Sequence, residues 1–198
     1  MVLIDHYHSM AYRDYNYSAF YVAEPFSETS LGAYATKDFV YYNVLKAWKA
    51  KDDQFPFKDA HNTTYNVRDD SSWEYTLKPR LHERLRNSKN IILFLSKNTR
   101  YSRALKEELD YGINELGLPV IIVYPDFNSN SYIASDHKPN NNAKALWEKL
   151  PILKDNIHKI PTAHVPMDKE YIYKALCDPD FTIQKKCLLL LVLLVINN

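Results

Sequence analysis

Hydrophobic positions fall into two regimes along the chain. Asn90–Ser96 (N-I-I-L-F-L-S) and Val120–Tyr124 (V-I-I-V-Y) are apolar at nearly every position. Short runs without alternation suit parallel strands buried on both faces. Between them Leu105, Leu109, Gly112, Ile113 and Leu116 recur at helical spacing, which predicts a helix over roughly Ser102–Leu116. Gly117 stands where a left-handed C-cap belongs. Strand, helix and strand with short joints make a right-handed parallel crossover.

The same reading extends outward. Ser18–Ala23 predicts a first strand, and Thr36 can cap a helix running to about Ala50, with Asp38 near its positive dipole end. The stripe of that helix is Tyr41, Val44, Leu45 and Trp48. Gln54–Phe57 predicts a short edge strand, because Pro56 cannot donate to a central ladder. Leu77, Leu81 and Leu85 predict a second helix with Pro79 in its first turn or at a kink. Its outer face, Lys78, Arg80, Arg84 and Arg86, reads as solvated. Residues 126–145 are polar and Asn-rich and read as a mobile loop. Ala163-His164-Val165 predicts a fifth strand and Asp168–Cys177 the last helix. The order β-α-β-α-β-α-β predicts an α/β fold, an open and mainly parallel sheet with helices on both faces.

The two ends differ from this pattern. Residues 1–16 are polar and aromatic without a period and read as an N-terminal arm. Residues 181–198 form a tail in which Cys187–Ile196 is apolar throughout, after Lys185-Lys186. That run is shorter than the ~20 residues a membrane-spanning helix needs. A buried terminal strand, a subunit contact and a non-native tail all remain open for it.

Composition narrows the chemistry. The 198 residues suit one domain, and the net charge of +1 demands neither nucleic acid nor an anionic membrane. The glycines Gly32, Gly112 and Gly117 are too far apart for a Walker loop or a G-x-G-x-x-G turn. Cys177 and Cys187 make neither a disulfide framework nor a Cys-rich zinc site, and His82-Glu83 lacks the second histidine of H-E-x-x-H. Asp5, His6 and His8 interrupt any leader-like apolar run, so a cytoplasmic protein is expected. The sixteen tyrosines suit pocket walls and interfaces.

In open α/β sheets ligands bind outside the carboxyl ends of the strands. That rule selects the loops Glu24–Gly32, Lys58–Ser72 and Lys97–Arg103. A charged group on the helix after the third strand would join them. At about 100° per residue, Glu107 points about 180° from the apolar stripe, into solvent, whereas Glu108 falls roughly 80° from it, at the border of the buried face. A half-buried carboxylate beside a cleft is suited to acid–base work or cation stabilisation. Asp69 and Asp70 beside Arg68 read as a solvated turn, and His61 as a turn histidine. Phe26 and Ser27 can line a pocket, Phe26 by stacking on a base. No Ser-His-Asp or Cys-His set assembles with any specificity.

Several strings carry a resemblance: Ala35-Thr36-Lys37-Asp38-Phe39-Val40-Tyr41-Tyr42-Asn43-Val44-Leu45-Lys46-Ala47-Trp48-Lys49, then Phe55-Pro56-Phe57-Lys58-Asp59-Ala60-His61, then Leu77 through Arg80, Glu83 and Arg84 to Asn90-Ile91-Ile92-Leu93-Phe94-Leu95-Ser96. Together they resemble the bacterial TIR-like domains of the Thoeris anti-phage system, the ThsB class, over roughly residues 17–180. The resemblance implies a flavodoxin-like TIR fold. It implies an enzyme that cleaves the nicotinamide–ribose bond of NAD on infection, with NAD as substrate rather than cofactor and no metal. The product would be a cyclic ADP-ribose isomer or another ADP-ribose conjugate, which activates the effector protein ThsA. Counting from Thr99, matched to a threonine of the family's loop, puts the family's catalytic glutamate at Glu108. Phe26, Ser27, Asp69, Ser96 and Tyr101 are the substrate-binding candidates. A phage component would be the trigger, and self-association to complete a site fits the resemblance. Many family members carry tryptophan four residues before the glutamate; here Ala104 stands there, and Tyr101 is the candidate replacement wall. Closure of the loop over 58–72 would exclude water. The alternatives are a non-enzymatic TIR-like interaction or sensor module and an enzyme making a different conjugate. A flavodoxin-like receiver is disfavoured by Ala23-Glu24-Pro25, where receivers want an acidic cluster.

Overall fold

The strand Ser88–Phe94 (β2) is the centre of the architecture, because its apolar side chains point alternately to two covered faces. A computed structural model describes residues 17–21, 39–60, 72–99, 101–127, 133–135 and 138–183. Strand Tyr17–Tyr21 (β1) pairs parallel with β2, β2 with Val120–Tyr124 (β3), and β3 with Thr162–Pro166, giving a four-stranded, wholly parallel sheet. A two-residue hairpin, Ala134–Ser135 (β4) with Lys138–Pro139 (β5), lies outside it, and Thr162–Pro166 is therefore β6. Parallel pairing requires crossovers that bring helices onto the faces, which explains why the β2 and β3 runs show no polar alternation.

One face carries Ile91, Leu93, Leu95, Val120, Ile122 and Tyr124. It is covered by helices Lys78–Arg86 (α2), Arg103–Leu109 (α3), Asn141–Trp147 (α4) and Pro151–Asn156 (α5). The other face carries Ile92, Phe94, Ile121, Val123, Ala163 and Val165 under helices Phe39–Lys51 (α1) and Lys169–Cys177 (α6). Leu45 of α1 is fully buried, Tyr41 stacks on Phe94 at 5.5 Å, and Trp48 meets Phe55 edge-on at 5.8 Å. The predicted stripe thus faces the sheet. Each fully buried Leu, Ile or Phe contributes about 1.5–3 kcal/mol by leaving water.

Local signals place the helix ends. Ser102 caps α3 by accepting from the Leu105 N–H, and Asp168 caps α6 by accepting from Glu170 and Tyr171. Pro79 sits in the first turn of α2, directly after the π-helical turn Trp73–Leu77, so its missing N–H falls where the helix changes register. Gly117 has φ 62° and ends the helix after β2 in the left-handed region that favours glycine. Between Leu109 and Gly117 the helix widens into a π-helical turn, Asp110–Glu115, and the Leu116 N–H reaches back five residues to the Tyr111 carbonyl.

Two expectations are corrected. Gln54–Phe57 is not a strand. The Phe55 N–H bonds the Asp52 carbonyl in a turn, the Lys49 ammonium takes the Phe55 carbonyl, and Pro56 has no N–H, so no ladder forms although Phe55 and Phe57 are buried. Nor is 126–145 one polar loop: its described part holds β4, β5 and the start of α4. Ala143, Leu146, Leu150 and Leu153 bury a stripe against the sheet, and α5 follows at once from Pro151. The strand predicted at 163–165 forms the far edge of the sheet. There the Trp147 indole N–H donates to Tyr124 Oη (2.8 Å), whose hydroxyl is hydrogen-bonded to His164 Nδ1 (2.9 Å). Burial lowers the His164 pKa to about 4, which keeps the ring neutral. The predicted arm, 1–16, and the apolar run 187–196 lie outside the described residues.

Leu93→Ala removes a side chain with no solvent exposure from the doubly covered strand and is expected to cost about 2–5 kcal/mol in urea unfolding. Val40→Ala, at a position 60% exposed on α1, is expected to stay within about 0.5 kcal/mol. Equal losses in the two variants would contradict the packing described.

Candidate active site

The loop that leaves β2 is held from within. The Ser96 N–H donates to Thr99 Oγ1 (2.9 Å), the Thr99 N–H to the Ser96 carbonyl (3.1 Å), and the Asn98 N–H to Ser96 Oγ (3.1 Å). Short hydroxyl side chains compete well for backbone groups at such turns. The loop after β3 ties in through Asp126, which accepts from the Lys97 N–H at 2.7 Å, and Lys149 donates to the Lys97 carbonyl. The entrance to α3 is thereby a fixed platform at the carboxyl ends of β2 and β3.

Ser96, a substrate-binding candidate, is 1% exposed and its hydroxyl oxygen serves that loop. Tyr101 lies on the surface just ahead of α3, 37% exposed, and its hydroxyl is held above the usual tyrosine range by partial burial and by Asp110 and Asp155. Glu108 lies six residues past the Ser102 cap, about 9 Å down the helix axis. Phe26, Ser27 and Asp69 lie outside the described residues, as do Arg68, Asp70 and His61.

Glu108 sits on the flank of α3 that turns toward α2. One turn further on, a Cβ added at Gly112 would lie 3.5 Å from Leu85 of α2 and 2.6 Å from Ile91 of β2, so the helices and sheet meet closely there. The Glu108 residue keeps part of its surface in solvent, yet its carboxyl is deep in the surrounding protein mass. Burial raises its pKa to about 8, and the Arg84 charge, pulling the other way, does not offset it. Among the described residues no hydrogen bond or ion pair engages this carboxyl.

Its neighbour corrects an expectation. Glu107 does not point into solvent: its Oε1 accepts from the Lys78 ammonium at 3.0 Å and from His82 Nε2 at 2.8 Å. Burial alone would raise this carboxyl, but those two donors outweigh it and hold Glu107 below the usual range. Beside α3 in the same layer lies α2, a neighbour that one-helix periodicity cannot see. Two more rungs flank this contact. Arg103 pairs with Glu74 at 2.6 Å and lies 4.7 Å from the Trp73 ring centroid, both partners belonging to the π-helical turn Trp73–Leu77 that leads into α2. Arg86 donates to Tyr111 Oη at 3.1 Å, and the His82 ring stacks on Tyr111 at 3.6 Å, tilted by 3°. Lys78 and Arg86, expected on a solvated face, are therefore interhelical contacts. The signal was present as the four-residue spacing Glu74, Lys78, His82, Arg86 opposite Arg103, Glu107, Tyr111. No grouping of three His, Cys, Asp or Glu side chains able to hold a metal occurs among the described residues, nor is any helix there long and apolar enough to cross a membrane.

Because the folded Glu108 pKa lies above the ordinary value of 4.5, the folded chain holds a proton that the unfolded chain releases as pH rises from 4.5 to 8. Stability from this group is present below that window and lost through it. Glu108→Gln is therefore expected to gain on the wild type from pH 5 to pH 9, by at most about 5 kcal/mol. Urea unfolding of both chains at pH 5, 7 and 9 checks this; a constant difference would mean the carboxyl is not buried.

The family model described as Thoeris protein ThsB, TIR-like domain, matches residues 17–130, from β1 through β3 and the platform after it. The match includes Glu108 and both helices of the seam, and it ends before α4, α5, β6 and α6, short of the span to 180 that the resemblance suggested. With the parallel α/β sheet and helices on both faces, this places the chain in the ThsB family of Thoeris proteins, as a TIR-like domain protein.

Proposed function

We propose that this chain cleaves the nicotinamide–ribose bond of NAD after phage infection, with Glu108 as the catalytic carboxylate. The ADP-ribose portion then leaves as a cyclic ADP-ribose-type signal for the effector protein ThsA. The observation that carries this reading is the environment of Glu108, a carboxyl that burial lifts to about 8 and that no partner among the described residues engages. A carboxyl left in that state is costly to a fold, and such perturbed groups cluster at functional sites. Membership of the ThsB family supports the Thoeris setting.

The chemistry follows from the bond broken. The electron pair of the C1′–N1 bond leaves on the pyridine nitrogen, so nicotinamide departs neutral and no acid need protonate it. C1′ is left as an oxocarbenium ion, as in glycoside cleavage. The cationic substrate favours the charged form of a nearby carboxyl, so its arrival pulls Glu108 toward the carboxylate. That carboxylate stabilises the ribose most where the positive charge is greatest, at the transition state. A nucleophilic group of the same molecule adds to C1′, and the proton it sheds passes to Glu108. Water at C1′ would give linear ADP-ribose instead, so ring closure depends on excluding it.

Glu108→Gln keeps the shape and removes the charge. Product in infected cells, read by mass spectrometry of lysates, is expected to fall by at least about 10²–10³-fold while the protein level holds. Undiminished product would take Glu108 out of the role, and an ADP-ribose conjugate in place of the ring would revise the product alone. In the triggered wild type, kcat/KM for NAD should rise about tenfold per pH unit below pH 8 and level above it, because the free chain must give up the Glu108 proton first.

A further inference from the structure

Glu108 follows, by one residue, the middle rung of the contact between α2 and α3. That rung is the strongest of the three in its geometry: one carboxylate oxygen takes two donors from successive turns of α2, with side-chain exposures of 35%, 19% and 25% for Lys78, His82 and Glu107. An ionised carboxylate only accepts, so His82 Nε2 carries the proton of that bond. The His82 ring is itself fixed by stacking flat on Tyr111, one turn beyond Glu107. Immediately past Glu108 the helix leaves α-helical register, with the π-helical turn starting at Asp110. A helix whose hydrogen-bond ladder changes period there does not by itself define the rotation of the preceding turn, and such turns are frequent at functional sites. Leu105 and Leu109 hold that turn on its sheet-facing side, and the clamp on Glu107 holds it on the side toward α2. One residue of rotation, about 100°, then carries the chain from the clamped carboxylate to the unengaged one.

We propose that the Lys78–His82–Glu107 clamp is the positioning element of the site: it fixes the rotation and height of α3 at which Glu108 meets the ribose. This rests on the reading of Glu108 as the catalytic carboxylate. The clamp residues act through α3 and do not touch the substrate. Exposed and half-exposed ion pairs add little to stability, so geometry is what the clamp supplies. The charged groups around the two carboxylates are Lys78 and His82 facing Glu107, Arg84 acting on Glu108, and Arg86 at the Tyr111 hydroxyl.

The full chain, labelled with ¹³C-glutamate, is titrated by NMR, the Glu108 carboxyl signal being identified by its loss in Glu108→Gln. In Glu107→Leu and His82→Leu the midpoint is expected to fall toward the ordinary carboxyl range by at least about one pH unit, as the side chain swings into solvent. Glu107→Gln and His82→Gln, which keep an acceptor or a donor in place, are expected to hold the wild-type midpoint. In the same leucine variants kcat should fall about tenfold to a hundredfold, with KM for NAD changed less than about twofold. Lys78→Met, a cut at the rim of the seam, is measured beside them in case the leucine variants do not fold, and should shift the midpoint the same way by less. A midpoint unmoved in every folded variant overturns the clamp, whatever happens to turnover. A triggered wild type that leaves NAD intact overturns the proposed function instead and leaves the titration readable.

Discussion

The doubly covered strand β2 is the constraint from which the rest follows. Ile91, Leu93 and Leu95 on one side and Ile92 and Phe94 on the other have no solvent exposure, so each face needs its own helical layer. On one side that layer brings α2 and α3 down next to each other and parallel, because both precede or follow β2 across the same face. The close approach at Gly112 then crowds the flank of α3 one turn beyond Glu108, which stays half-buried. A carboxyl with a high pKa is thus a by-product of covering a strand, on the helix that follows the loop Ser96–Ser102.

Two adjacent glutamates occupy opposite electrostatic situations within this frame. Glu107 is bonded twice and stays charged; Glu108 meets no hydrogen-bond or ion-pair partner among the described residues and is pushed toward neutrality. One residue type thus serves two roles, set by whether α2 offers donors at that height. Lys78 and His82 are one turn apart and converge on a single oxygen of Glu107. The distinction is one of neighbours and not of sequence, since the two residues share an intrinsic acidity.

Much of this was legible in the order of residues. The apolar runs gave β2 and β3, helical spacing gave α1, the helix after β2 and α6, and the angle of Glu108 from the stripe Leu105, Leu109 put it at the edge of burial. What escaped has physical causes. Phe55 and Phe57 alternate as a strand does, but burial comes from side chains and a ladder from backbone groups, which the turn at Asp52 and the Lys49 ammonium had already taken. Asn140–Asn142 masked the stripe of α4, because polar residues that open a helix look the same as those of a loop. Glu107 was misjudged because periodicity reports only the face toward the sheet, whereas a neighbouring helix in the same layer can engage a side chain that points away from it. Ser96, Thr99 and Asp126 form the platform through contacts between two loops, and no local pattern announces these.

The sheet continues past the stretch that marks the family. Thr162–Pro166 supplies the ladder partner of Val120–Tyr124, and the hydrogen bonds of Tyr124 to Trp147 and His164 secure that edge with two side chains from outside the matched range. A chain cut at residue 130 would leave the backbone of Val120–Tyr124 unpaired along one side and Ile121 and Val123 stripped of α6, the kind of open edge that recruits other chains. The boundary of a sequence signature is therefore not the boundary of a folding unit. The matched stretch stops soon after β3, whereas the packed sheet and its helical layers extend to α6.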